Sequence, residues 1–202
     1  LPERNTITTA KAVATLDRYS NGRIIIGAGA GWFREEAEIM GVNFKKRWRH
    51  LRESIEALRE LWSKEEASYD GEFVKFPPVR LFPKPVQKPY PPILLGAHDP
   101  RYAVKRVAQY ADGWCPGNLT PAQAKETLPE IKRLAREAGR DADRLEFSVL
   151  LVPQGDGPTV DTIKQYDEAG VSRLVVAALG SASGSGIEAV KSLAPIVERA
   201  QH

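Results

Sequence analysis

The residues best suited to chemistry stand in one short turn, Gly96-Ala97-His98-Asp99-Pro100, directly after the apolar run Ile93-Leu94-Leu95. A turn of this composition leaves a buried strand and opens a helix, with Asp99 as N-cap and Pro100 in the first turn. Free main-chain N–H groups at such a point, together with the positive end of the helix dipole, suit a phosphate. Asp99 opposes a phosphate by charge unless its carboxylate only caps the helix. Histidine is a common general base, but that role needs a partner and none is assignable to His98 from the sequence, so it reads as a polar rim residue facing cofactor or solvent. The alternative is a plain strand-to-helix turn capped by aspartate.

A second constellation is Gly27, Gly29 and Gly31, again after an apolar run. Glycines there let a backbone approach a pyrophosphate, but the third falls one residue early for the dinucleotide fingerprint and bulky Trp32-Phe33 follow. The same glycines, Gly29 above all, let the top of a strand pass close to a planar ring system; simple relief of crowding competes with that reading. His50, on a charged helix face, and His202, at the terminus, read as solvated. Three histidines and the single cysteine, Cys115, give no zinc spacing, so no metal is expected; an isolated thiol favours a reducing, cytoplasmic setting.

These residues need a scaffold. With 202 residues, 42% hydrophobic and 27% charged, the chain has ordinary globular composition. Its 29 basic and 26 acidic residues are interleaved and the net charge is +3, so no footprint for nucleic acid appears. No apolar run is long enough to span a bilayer. Val13, Leu16 and Tyr19 predict the buried face of a first helix that stops at Asn21-Gly22. Trp48, Leu51, Ile55, Leu58 and Trp62 form one stripe of a long second helix. Arg34, Glu35 and Glu36 read as a solvated helix start.

Five short runs read as strands covered on both faces: Arg23 to Ile26, Ile93 to Leu95, Asp112 to Cys115, Phe147 to Val152 and Leu174 to Leu179. Helices are expected over roughly Pro100–Ala111, Thr120–Gly139, Pro158–Ala169 and Ile187–Arg199. Residues 64–92, rich in Gly, Pro and aromatics toward their end, read as an extended insertion. Its Pro83 to Pro92 part suits a rigid lead-in to a strand better than a polyproline ligand for an SH3-like partner. Ser181 to Gly186 reads as a loop over the strand ends or a linker. Strand followed by helix is the pattern of a parallel α/β fold, and by strand count alone an open doubly wound sheet is favoured over a (β/α)8 barrel of about 250 residues.

Particular residues then favour the barrel. Leu16-Asp17-Arg18-Tyr19-Ser20-Asn21-Gly22-Arg23, Gly27-Ala28-Gly29-Ala30-Gly31-Trp32 with Glu35-Glu36, and Arg47 with Leu61-Trp62 occur in that order. Tyr69-Asp70-Gly71-Glu72-Phe73, Pro83 to Ile93 and Ala111-Asp112-Gly113-Trp114 follow. Over roughly residues 5 to 120 this series resembles the luciferase-like monooxygenase family. The resemblance implies a single (β/α)8 TIM barrel over 1–202, with the strand at Arg23 fourth, that at Ile93 fifth and that at Leu174 eighth. Strands one to three then lie outside this sequence. A native chain with an omitted N-terminal part, or completion of the core by association, would account for them.

The resemblance further implies that the Gly96-Ala97-His98-Asp99 turn lies near the phosphate of FMN or the deazaflavin coenzyme F-420, with Trp114-Cys115 beside it. It implies an oxidoreductase acting on a small organic substrate and a homodimer or higher homo-oligomer. Catalytic residues stay unknown, because the family places several contacts on its first three strands. Two other classes compete: a non-catalytic flavin-binding protein derived from such an enzyme, and a Rossmann-type NAD(P) enzyme.

Overall fold

The fold is taken from a computed structural model that describes residues 1–152, 158–177 and 186–200. Two compact units divide the chain, Leu1–Ile93 and Leu94–His202.

In the first unit, helix α1 (Thr6–Tyr19) leads to strand β1 (Ile26–Ala28), the short helix α2 (Arg34–Ile39) and the long helix α3 (Arg47–Ser63). A two-stranded antiparallel hairpin follows, β2 (Ala67–Asp70) with β3 (Lys75–Val79). The α3 stripe is buried as its spacing predicts through Leu51, Ile55, Leu58 and Trp62, with Trp48 only half-buried.

Helix α1 departs from expectation. Its buried face is Ala10, Ala14 and Asp17, while Leu16 and Tyr19 are exposed. Small side chains win this face because they admit the Trp62 indole, whose Nε1 donates to the Ala10 carbonyl at 3.0 Å. Asp17, fully buried, is satisfied by three donors: the Val86 N–H (2.8 Å), the Gln87 N–H (3.0 Å) and Gln87 Nε2 (2.7 Å). Gln87 Nε2 also donates to the Ile24 carbonyl at 2.8 Å. That side-chain bond explains why β1 begins at Ile26 and not at Arg23.

The same bonds fix the role of the proline-rich insertion. Its main chain is tied to α1 through Asp17, Lys84 Nζ donates to the Leu61 carbonyl at 2.7 Å, and the Pro92 carbonyl accepts from the Ile26 N–H at 2.9 Å. It is built into its unit as a rigid lead-in. The hairpin inside it carries little strand signal because β2 is short and mixed in polarity and β3 contains Pro77-Pro78, which removes two ladder donors; Glu53 Oε2 on α3 holds it by accepting from the Phe73 and Val74 N–H groups at 2.7 and 3.3 Å.

The second unit is a parallel α/β layer. Strand β4 (Ile93–Leu95), α4 (Pro100–Tyr110), β5 (Gly113–Trp114), α5 (Pro121–Glu137), β6 (Glu146–Leu151), α6 (Val160–Glu168), β7 (Arg173–Val176) and α7 (Gly186–Ala200) alternate. Strands β4 to β7 lie side by side in chain order, all parallel. Leu94 stands opposite Gly113, Gly113 opposite Glu146, and Ser148 to Leu151 opposite Arg173 to Val176. Gly113 is obligatory between its neighbours: a Cβ there would lie 1.9 Å from the Glu146 carbonyl oxygen.

Ile93, Leu95, Trp114, Phe147 and Val149 pack under the helices. The expectation that every strand is covered on both faces holds for β4 but fails for β6 and β7. Leu150 and Val175 are exposed, and β7 alternates exposed with half-buried residues. Among the described residues, no strand pairs with the second edge of β7, and Leu150 and Val175 lie exposed on one shared face. Ser181 to Ser185 and the last part of the predicted fifth strand lie outside the described residues. No helix among the described residues is long and apolar enough to cross a membrane.

Removing the Asp17 carboxylate leaves two partly buried main-chain N–H groups, of Val86 and Gln87, without their acceptor and takes one of two acceptors from Gln87 Nε2. Asp17→Ala is therefore predicted to destabilise the first unit by about 3 kcal/mol or more, measured by urea denaturation; a change below about 1 kcal/mol would refute this account of the insertion.

Candidate functional site

All strands of a parallel sheet end on one edge, and the next helices begin there, so the ends of β4, β5 and β6 define the functional rim. Local sequence sets each turn. Asp99 caps α4 by accepting from the Arg101 N–H at 3.0 Å, with Pro100 in the first turn; Thr120 and Gln123 form a capping box at the start of α5.

The turn after β4 has an inner anchor and an open outer side. Trp114 is fully buried, and its Nε1 donates to the Ala97 carbonyl at 2.9 Å. Gly96 and His98 are exposed, and Ala97 is buried. Among the described residues, the turn bonds include no protein acceptor for the main-chain N–H of Ala97 or His98. The Asp99 carboxylate is turned back onto Arg101 as a bidentate pair, Nε to Oδ1 at 3.0 Å and Nη2 to Oδ2 at 2.7 Å. The Arg101 guanidinium holds that carboxyl below the usual aspartate range. Asp99 thus caps and is neutralised in place, which removes the charge conflict its presence raises.

Beside the turn, Cys115 continues β5, its N–H donating to the Leu95 carbonyl at 3.0 Å. Ser148 comes next across the sheet and accepts from Arg173 Nη1 at 3.3 Å, while Arg173 Nη1 pairs with Glu146 at 2.5 Å. Burial pushes the Cys115 thiol up, against smaller opposing effects of the Arg173 charge and the Leu150 N–H. A thiol so held stays protonated at neutral pH and is a poor nucleophile. The sheet face below the rim therefore carries a neutral thiol, a hydroxyl and a closed ion pair.

The second unit brings together Gly96, Ala97, His98, Asp99, Trp114 and Cys115. Trp114 stands behind the turn, supporting it from the helix side. Gly29 belongs to the first unit, half-buried, with its carbonyl 3.0 Å from the Leu1 nitrogen. Gly27 lies within β1 and helix α2 starts only at Arg34, so Gly31 opens no helix and the dinucleotide fingerprint lacks its phosphate-binding element. His50 is half-buried and stacks on Phe73 with ring centroids 5.1 Å apart, not solvated as expected; burial lowers its pKa. His202 lies outside the described residues.

The reading of β6 as continuously apolar missed Glu146 and Ser148. Their period-two spacing was the available signal. Among the described residues, no cluster of His, Cys, Asp and Glu is arranged to hold a metal.

A family model for luciferase-like monooxygenases matches residues 1–155. The chain belongs to the luciferase-like monooxygenase family. The uncharacterised protein Rv0953c of Mycobacterium tuberculosis is 41% identical over 175 residues, 86% of this chain and 59% of that protein. An FMNH(2)-dependent dimethylsulfone monooxygenase of Pseudomonas putida is 33% identical over 133 residues, 64% of this chain and 36% of that protein. The chain thus spans less than two thirds of the curated relatives it matches. Among solved structures, an F420-dependent secondary alcohol dehydrogenase in complex with an F420-acetone adduct superposes with a TM-score of 0.78 at 18% identity. That match covers 97% of this chain and 75% of the other, and at this identity it speaks for the fold.

The Cys115 thiol is predicted to alkylate more slowly than free cysteine at pH 7, and to accelerate as pH rises beyond the range where free cysteine ionises. Iodoacetamide kinetics followed by mass spectrometry measure this; a rate at pH 7 equal to or above that of free cysteine would contradict it.

Proposed function

We propose that this chain is the C-terminal portion of a (β/α)8 barrel oxidoreductase that binds reduced FMN or the deazaflavin coenzyme F-420 at the strand ends and acts on a small organic substrate. One observation carries the reading. Two consecutive main-chain N–H groups, Ala97 and His98, have no protein acceptor among the described turn bonds at the positive end of α4, and the nearby Asp99 carboxylate is neutralised by Arg101. That arrangement fits a phosphate and little else of comparable simplicity.

The named relatives support the choice of cofactor, one being FMNH(2)-dependent and another F420-dependent. The bound group supplies hydride transfer or, as reduced flavin, oxygen activation. The residues of this chain bind and orient: the turn receives the phosphate, Trp114 holds the turn, and His98 borders it. Cys115, uncharged at neutral pH, offers the site a wall without a competing nucleophile. Gly29 is assigned to ring contact on the family resemblance. Substrate chemistry is assigned to residues outside this chain, and self-association through helices is part of the same reading.

Fluorescence titration with FMN and with F-420 tests the proposal. The chain should bind at least one; Gly96→Val, which blocks the turn with a branched side chain, should weaken binding roughly tenfold or more. Lys125→Ala, on an exposed face of α5, should leave binding unchanged. Equal affinities in all three proteins would remove the turn from the site, and no binding of either cofactor by the unaltered chain would overturn the assignment.

A further inference from the structure

The turn after β4 is not alone at the rim. The His98 imidazole lies directly against Gly117, two residues past the end of Trp114-Cys115: a Cβ built on Gly117 would sit 2.4 Å from His98 Cε1 and 3.1 Å from Nδ1. Gly117 cannot retreat, because the rim is laced to β6 on both sides of it. Gly117 bridges to Leu150, the Asn118 N–H donates to the Leu150 carbonyl at 2.8 Å, and the Leu150 N–H donates to the Pro116 carbonyl at 2.9 Å. Asn118 adopts a left-handed backbone (φ 51°), which asparagine tolerates, and its Oδ1 accepts from the Val152 N–H at 2.8 Å. A side chain at 117 must therefore displace the imidazole and not the backbone.

Resting on the cofactor reading above, we propose that Gly117 and Asn118 are positioning residues for His98: the bare Cα of Gly117, stapled in place by Asn118, seats the imidazole beside the Ala97 and His98 amides, where it donates to the cofactor's phosphate. The imidazole then completes, with a side-chain donor, a cradle otherwise made of main chain. Asp99 and Arg101 are the charged groups closest to it along the chain, and they satisfy each other.

Gly117→Ala is a selective probe. The clash falls on the far end of a side chain that can swing away, so the thermal midpoint should change little. Cofactor affinity should fall roughly fivefold, the equivalent of forcing a ring off its favoured rotamer. A double-mutant cycle separates positioning from general damage: His98→Ala removes the partner of the clash, so Gly117→Ala in that background should cost nothing further. The His98 Cε1–H resonance supplies a second readout, shifting when FMN or F-420 is added to the unaltered chain and failing to shift in Gly117→Ala. The inference is overturned if Gly117→Ala binds cofactor as well as the unaltered chain, or if the two losses simply add. If the unaltered chain binds neither cofactor, the underlying reading falls and takes this one with it, an outcome distinguishable from the others at the first titration.

Discussion

The hydrogen bond from the buried Trp114 indole to the Ala97 carbonyl is the contact on which the candidate site depends. It joins the end of β5 to the turn after β4 across the parallel sheet, inside the layer covered by α4. By engaging the Ala97 carbonyl it fixes the turn at the start of a helix whose dipole favours an anion. A buried indole without a partner is costly, so the bond that satisfies Trp114 also fixes the turn.

Around that contact the rim is built from bonds between neighbouring strand ends. Cys115 bonds back to Leu95, Pro116 and Asn118 bond to Leu150, and Asn118 bonds to Val152. Each strand end is thereby set by the next, and Gly113 lets β5 lie close enough to β6 for the series to form. Arg140 secures the far end of α4, donating to the Val107, Ala108 and Ala111 carbonyls. The helix that presents the turn is held at both ends.

Much of this was legible in the residue order. Apolar runs bounded by Gly and Pro located the parallel strands, and Asp99-Pro100 and Thr120-Pro121 located two helix starts, because caps and first-turn prolines act locally. The face of α1 was not legible: Val13, Leu16 and Tyr19 have the right spacing, yet Ala10, Ala14 and Asp17 are buried. That choice is made by the Trp62 indole and the Gln87 amide, which are distant in sequence. The polar inner side of β6 was hidden by the apolar residues alternating with it. The seating of His98 on Gly117 needed the stagger of two strands, which no local pattern contains.

The central claim is that main-chain amides at the end of β4 bind an anionic phosphate. The most direct measurement compares FMN with riboflavin, which carries the same ring system without the phosphate, by titration at fixed ionic strength. The account predicts that FMN binds roughly tenfold or more tightly than riboflavin, and that raising inorganic phosphate competes away that advantage. Equal affinity for the two, with no effect of phosphate, would contradict it.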